Sequence, residues 1–398
     1  ISIRQVFLFC TTSLKYSNEW GVTIQGILST TANAPPKGSS SVKNNVTILD
    51  ISDRNSTEKS LSNETKITCM EPAAYPLEYT NYSKKNRTIS RFMVQDMSDK
   101  FDPAQPVSAI CRFLHTVPFA KHFPHAAQQL YRCWSWWRHQ QQLYANVNVT
   151  PMLQMSASEP QNPFWKGFMR LLEGSLALQV ISDPLNETAI GNVVSAHAKL
   201  EDGFLYEYAM ASAEDAHALR EAAVRVYDLP PVTSGCSATS NPRISILNRQ
   251  SKRHILNWEH LKGALNSIGQ VSVGYFEGKT FRDQIDFMMN TDILVSPHGA
   301  QLASLPFVPP CATVLEIFPT GYYEPAFFGS LAASSGVSHS FVYLGTNRTA
   351  EVATGSASLW ARLKTRKASV CAPVQPMKMA VMQAVAAWKQ CCKRQYPN

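Results

Sequence analysis

No apolar run in this 398-residue chain approaches the roughly 20 residues that a bilayer-spanning helix needs. The longest candidate at the start, Ile1 to Phe9, is brief and carries Arg4 inside it. No two of the nine cysteines stand at Cys-x-x-Cys spacing, which removes the usual ligand pattern of a structural zinc. Lys and Arg outnumber Asp and Glu by 37 to 29, yet they form no concentrated tract, so no nucleic-acid partner is expected. The surplus of +8, with a pI near 9.0, suits a smaller anionic partner such as a nucleotide or a phosphate-bearing surface. The chain opens on Ile, not Met, so a membrane anchor, if the protein has one, is expected upstream of Ile1.

Large apolar residues are also scarce between residues 28 and 66, where Ser, Thr, Asn and Lys dominate. Such a composition cannot bury enough surface to fold, and residues 1–68 read as a stem or linker. Asn-x-Ser/Thr sequons stand at Asn45, Asn55, Asn63, Asn81 and Asn86, and again at Asn148, Asn186 and Asn347. Clustered sequons in polar sequence point to a glycosylated protein of the secretory-pathway lumen, Golgi or endoplasmic reticulum. The scattered cysteines allow a few disulfides and leave at least one thiol over.

With 44% hydrophobic residues the remaining chain can build two cores. The first strong signal is FAKHFPHAAQQLYRCWSWWRHQQQ, residues 119 to 142. Pro124 suits a helix first turn, and Ala127, Leu130, Trp134 and Trp137 recur at the spacing of one buried helical face. Trp134, Trp136 and Trp137 read as core, with a sugar-stacking platform as the alternative. His122 and His125 fall at the entrance to this helix, either solvated or facing a cleft. A helix and strand follow over 162 to 181, then a strand over 199 to 210 and a helix over 212 to 227. Ser212 and Asp215 have the spacing of a capping box. This alternation predicts a parallel α/β domain over 69–235, bounded by the Pro, Gly and Ser of residues 228 to 242.

A second α/β domain, 236–375, opens with strand RISILNR, the basic loop of Arg249, Lys252 and Arg253, and helix HILNWEHLKGAL. That loop is either a solvated basic turn or a cover for a diphosphate. Strand VSVGYFEG and helix KTFRDQIDFMMN lead into Asp292 to Pro319. There Ile293-Leu294-Val295 is an unalternated apolar run of the kind buried on both faces of a parallel sheet. It ends in Ser296-Pro297-His298-Gly299-Ala300, passes through a short helical segment, and resumes as Val314-Leu315-Glu316-Ile317-Phe318. A loop at the carboxyl end of such a strand, followed by a helix amino terminus, is where open α/β sheets bind phosphates. Residues 376–398 read as an amphipathic helix that returns to pack on the first domain.

The segments ILNRQSKRHILN, NTDILVSPHGAQL and VLEIFP, in that order over about residues 243 to 345, resemble glycosyltransferase family 61. Upstream, HFPHAAQQLYRCWSWW resembles the family's first-lobe helix start, with His125 kept and Gln128 and Gln129 where an acidic residue is usual. The resemblance implies a GT-B architecture: two Rossmann-like lobes, the donor nucleotide in the second and the acceptor in the cleft. It implies inverting transfer of N-acetylglucosamine or a pentose from a UDP-sugar to a hydroxyl of a glycan or glycoprotein. A non-catalytic sugar-nucleotide or glycan-binding homologue is the alternative, and another nucleotide-sugar enzyme such as an epimerase a third. The chain has no Asp-x-Asp triplet, the metal-chelating element of the other large glycosyltransferase architecture, so no metal or other cofactor is expected. Diphosphate charge would then fall to Arg249, Lys252 and Arg253 and to amides of His298, Gly299, Ala300 and Gln301, with Ser296 in the same loop. Glu316 would accept ribose hydroxyls, or else stand as a buried carboxylate paired with a basic neighbour. His125 is the first candidate for the base, ahead of His122 and Asp183.

Overall fold

The computed structural model describes residues 23–26, 77–81, 93–97, 102, 104–113, 123–155, 162–181, 192–198, 210–231, 236, 241–322, 324–345 and 364–395. Strand and helix alternate along it to build a mixed α/β protein with two sheets in which parallel pairing dominates. Strands β1 (Thr23–Gly26) and β2 (Leu77–Asn81) pair antiparallel with each other, and β2 joins the edge of the second sheet, so the early chain serves the later sheet. β1 falls inside the stretch read as a stem.

In the first sheet, β3 (Met93–Met97), β4 (Val107–Arg112), β5 (Val149–Gln154), β6 (Gln179–Ile181) and β7 (Asn192–Ala198) stand in the order β3-β7-β4-β5-β6. β3 is antiparallel at one edge, and the other pairs are parallel. The strand expected over 199 to 210 lies almost wholly outside the described residues. In the second sheet, β8 (Arg243–Asn248), β9 (Gln270–Tyr275), β10 (Ile293–Pro297), β11 (Thr313–Phe318) and β12 (Ser338–Tyr343) run parallel, in the order β12-β11-β10-β8-β9. The chain order reverses between β8 and β10, and the helices that follow these two strands leave toward opposite faces.

Helix α1 (Phe123–Leu143) is buried on nearly every side. Its three indole N–H groups donate inside the protein: Trp134 to Asp215 O at 2.9 Å, Trp136 to Gln95 at 3.1 Å and Trp137 to Ala109 O at 3.0 Å. The tryptophans are therefore core, and a disulfide from Cys133 to Cys111 ties the helix to β4. Helix α2 (Pro163–Leu176) starts at an Asn162 cap, and α3 (Ala213–Tyr227) at Ser212, which accepts from Asp215 N. Only half of the expected capping box forms there, because the Asp215 carboxylate is drawn to Arg138 Nε at 2.8 Å.

These helices meet those of the second sheet, α5 (Phe281–Met289), the 3-10 helix Ala300–Phe307 and α6 (Pro325–Ser334), in one continuous core. Phe164, Phe168, Phe281 and Phe307 interlock ring against ring across it. Tyr131 donates to Ala303 O at 2.6 Å and Arg220 to Pro306 O at 2.9 Å, so polar bonds also cross the junction.

The opposite face of the second sheet presents Ile244, Ile246, Ile293, Val295, Leu315 and Ile317. Helix α4 (Trp258–Leu265) covers part of it, and the last helix, α7 (Val374–Gln395), covers the rest. This corrects the expectation that α7 returns to the first domain. Its stripe of Met377, Val381, Ala384, Trp388 and Cys392 needed an apolar partner, and the uncovered sheet face supplied one nearby. Cys392 and Cys391 then bond to Cys236 and Cys311, fixing the helix there, each bridge worth about 2–4 kcal/mol. Cys371 is also disulfide-bonded. Among the described residues no helix is long and apolar enough to cross a membrane.

Candidate functional site

An open parallel sheet binds ligands outside the carboxyl ends of its strands, where the chain order reverses. In the second sheet that point lies between β8 and β10, and the chain places Arg249 directly after one and His298-Gly299 directly after the other. A Cβ on Gly299 would lie 3.1 Å from Arg249 Nη1 and 3.4 Å from Arg253 Nη1. Two guanidinium groups thus close over a backbone that has no side chain to hold them off. Gly299 is extended here, so close approach and not conformational freedom is what its missing side chain provides.

The arginines are short of acceptors. Arg249 Nε stands 3.5 Å from Glu277 Oε1, too far for a good hydrogen bond, and its Nε and Nη1 are both buried without a hydrogen-bond partner among the described residues. Arg253 makes one long bond, from Nη1 to His298 O at 3.4 Å, and its Nε has none. Burial first, then the like charges of Arg249 and Arg366, push the Arg253 guanidinium down to about 10, against a weaker pull from Tyr322 and Glu277. The guanidinium stays charged at neutral pH, with Arg249 and Arg366 as like-charged neighbours. The amides of Gly299, Ala300 and Gln301 open the 3-10 helix and find no backbone acceptor among the described residues, so they add donors on the same side.

Other residues expected to face the donor are committed to holding this loop. The His298 amide donates to Ile317 O at 2.9 Å and is spent on the β11 ladder. Ser296 is fully buried, and its hydroxyl bonds to Pro297 O at 3.0 Å while accepting from Gln301 Nε2 at 2.8 Å. Gln301 Nε2 also reaches Leu247 O at 3.0 Å, which joins the loop to β8. Lys252 is exposed on its turn.

Glu316 has no exposed surface, and both its oxygens face imidazoles: His298 Nδ1 at 2.6 Å and His339 Nε2 at 2.8 Å. The carboxylate thus stands behind the loop, where a direct contact with ribose hydroxyls had been expected. Burial raises its proton affinity, but the charge and hydrogen bonds of His298 and then His339 outweigh that and hold it below the usual carboxylate range. His298, packed among Phe318, Tyr322, Phe327 and Phe328, is pushed below its ordinary value, chiefly by burial. We therefore read an ionised Glu316 that accepts an N–H bond from each imidazole, with His298 neutral, which leaves His298 Nε2 for anything entering the crevice.

The first sheet supplies the other wall. His125 lies in the first turn of α1, half-buried, its ring 5.6 Å from that of Phe327, which in turn is 6.2 Å from the His298 ring. His122 and Asp183 lie outside the described residues. Gln128 and Gln129 are buried. A cleft of ≈ 250 Å³ opens between the halves, lined by Phe123, Asn162 and Phe164 on one side and Arg249, Glu277 and Gln301 on the other. Sequence reading missed Glu277, Asn162, Arg366 and His339. The Asn162-Pro163 helix start and the turn Glu277-Gly278 were visible signals for two of them, whereas the other two have none.

Two α/β halves share a cleft beside a cluster of arginines at a strand-order reversal, an arrangement suited to a phosphorylated ligand. Glycosyltransferase 61 is the family that matches residues 76–315, more than half of the chain, and the protein belongs to that family. The EGF domain-specific O-linked N-acetylglucosamine transferase of Bos taurus is 37% identical over 84 residues, covering 20% of this chain and 16% of that protein. Protein O-linked-mannose beta-1,4-N-acetylglucosaminyltransferase 2 of Homo sapiens is 42% identical over 79 residues, 19% of this chain and 13% of its own length. The EGF domain-specific enzyme of Drosophila melanogaster is 34% identical over 98 residues, 24% and 18% of the two chains. Each match spans less than a fifth of the relative's length.

Proposed function

We propose that the protein is an inverting glycosyltransferase with a GT-B arrangement of its two halves, moving N-acetylglucosamine or a pentose from a UDP-sugar to a hydroxyl of a glycan or glycoprotein. The observation that carries this is the convergence of Arg249 and Arg253 over Gly299, beside three orphan amides. In the reaction the acceptor oxygen attacks the anomeric carbon, its proton passes to a base, and the bond to UDP breaks with the electron pair leaving on the diphosphate. Donors already aimed at that growing charge lower the barrier without reorganising. Arg249 suits the task because its planar fork can hold two phosphate oxygens. With guanidinium groups and amides carrying the charge, we propose that no metal is required. His125, on the opposite wall, is the base.

The activities named for the relatives support transfer to glycoprotein acceptors. The disulfides and the sequons support an oxidising, glycosylating lumen, and an anchor upstream of the chain fits the same picture. The test is a panel of UDP-sugars scored for slow donor hydrolysis. One donor should release UDP, with a rate unchanged by EDTA. Release of no UDP from any donor would favour the non-catalytic reading, and a sugar altered while still attached to UDP would favour an epimerase. Activity lost to EDTA and restored by Mn²⁺ would remove the metal-free part alone.

Gly299→Ala offers a sharper check of the cradle. The new methyl presses on the flexible tips of Arg249 and Arg253, so the fold should change by under about 0.5 kcal/mol. UDP affinity should fall about tenfold, or ~1.4 kcal/mol, as two phosphate donors are displaced. Calorimetric titration beside thermal unfolding separates the two effects.

A further inference from the structure

Arg366 stands beyond the family match, on a turn at 364–367 that neither motif nor spacing marks. That turn is stitched to the loop after β8. Arg253 N donates to Lys367 O at 3.3 Å, Val370 N to His254 O at 2.8 Å, Leu256 N to Val370 O at 2.9 Å, and Asn257 bonds both ways with Ala372 at 2.7 and 2.8 Å. Thr365 reaches Gly321 O at 3.4 Å, next to Tyr322 and so beside His298. This seam holds the turn that carries Arg366 beside the loop that carries Arg253. Its Nε is buried with no hydrogen-bond partner among the described residues, as are Arg249 Nε and Arg253 Nε. Among the described residues Glu277 and Glu316 are the carboxylates paired at this site, and Glu316 is spent on two imidazoles.

We infer that Arg366 is a third guanidinium of the anion site and binds the diphosphate together with Arg249 and Arg253; this rests on the donor-site reading above. Its charge is felt at both Arg253 and His298, in keeping with that position. Three cations with Glu277 as their one carboxylate partner among the described residues match an anion of two phosphoryl groups better than a single carboxylate, because the remaining charge of the three together is neutralised only by a multiply charged guest. Like charges held together without their guest also repel, so the site stores instability that the ligand relieves.

The experiment uses the full chain with Arg366→Gln, Arg366→Lys and Arg249→Gln, titrated calorimetrically with UDP, uridine and inorganic pyrophosphate, with thermal midpoints measured in parallel. Arg366→Gln should weaken UDP and pyrophosphate at least tenfold and leave uridine unchanged. Its midpoint should be equal to or above that of the parent, and Arg366→Lys should recover part of the affinity. If Arg366→Gln binds UDP and pyrophosphate as the parent does while Arg249→Gln does not, the role of Arg366 is overturned and the donor site stands. A midpoint several degrees lower, with uridine weakened equally, would show a structural arginine and also overturn it. If the parent binds neither UDP nor pyrophosphate, the donor-site reading falls, and this inference with it.

Discussion

His125→Ala should lower turnover by about 10²- to 10⁴-fold, the usual contribution of a positioned general base, while UDP affinity stays within a few-fold. The separation follows from where the groups sit. His125 belongs to α1, on the first half, whereas the donor contacts come from loops of the second sheet. The Phe327 ring packs against both the His125 ring, from the first half, and the His298 ring, from the second. The inverting displacement proposed above needs a base on the side opposite the leaving group, a place that a first-half residue can fill. A structural role for His125 would move stability and binding together. A base moves the rate alone, and the acid limb of the pH–rate profile disappears with it. Turnover at the parental level would pass the role to His122 or Asp183.

The second sheet was readable because its strands advertise themselves. Ile293-Leu294-Val295 and Val314-Leu315 are apolar on successive residues, as a strand buried on both faces must be, and the structure turns alternate members toward different cores. The helix start was equally plain at Ser212, whereas the full capping box of Thr280 with Asp283 was passed over. The strands β4, β5 and β7 were not read, since Ser108 in β4, Thr150 in β5 and Ser195 in β7 break their apolar pattern. The stripe on α7 predicted burial but not its partner, because an apolar face is complementary to any other. Candidate site residues were found where they follow strands, as Arg249, His298 and Gly299 do. Arg366 was out of reach, because it arrives through long-range pairing of the adjacent Lys367 backbone with Arg253, which no local pattern encodes. The same holds for Glu316. Its burial suggested a basic neighbour, but His339 reaches it through the pairing of β11 with β12.

Glu316→Ala should cost about 2–6 kcal/mol of stability, about 1–3 kcal/mol for each of the two buried N–H groups that lose their acceptor. The carboxylate is fully buried and receives bonds from His298 and His339, so its loss leaves two imidazole N–H groups unpaired in a dry core. Glu316→Gln keeps the shape and one acceptor, and should cost about 1–3 kcal/mol, the penalty of one mismatched polar group. The pH dependence fixes the cause. His298 titrates below its ordinary 6.5 when folded, so its contribution is present above 6.5 and is lost as pH falls through the folded value. Glu316 titrates below its ordinary 4.5, so its contribution is present above 4.5 and is lost as pH falls through its own folded value. The parent should therefore weaken in two stages on acidification from pH 7. In Glu316→Ala the imidazole stage remains and the carboxylate stage, below 4.5, is gone. Thermal midpoints measured across pH would show this, and a variant that kept both stages would place the acid-sensitive carboxylate elsewhere in the protein. Because this cluster anchors the loop that carries Gly299, UDP affinity should fall in step with stability in both variants, unlike the effect expected at Arg366.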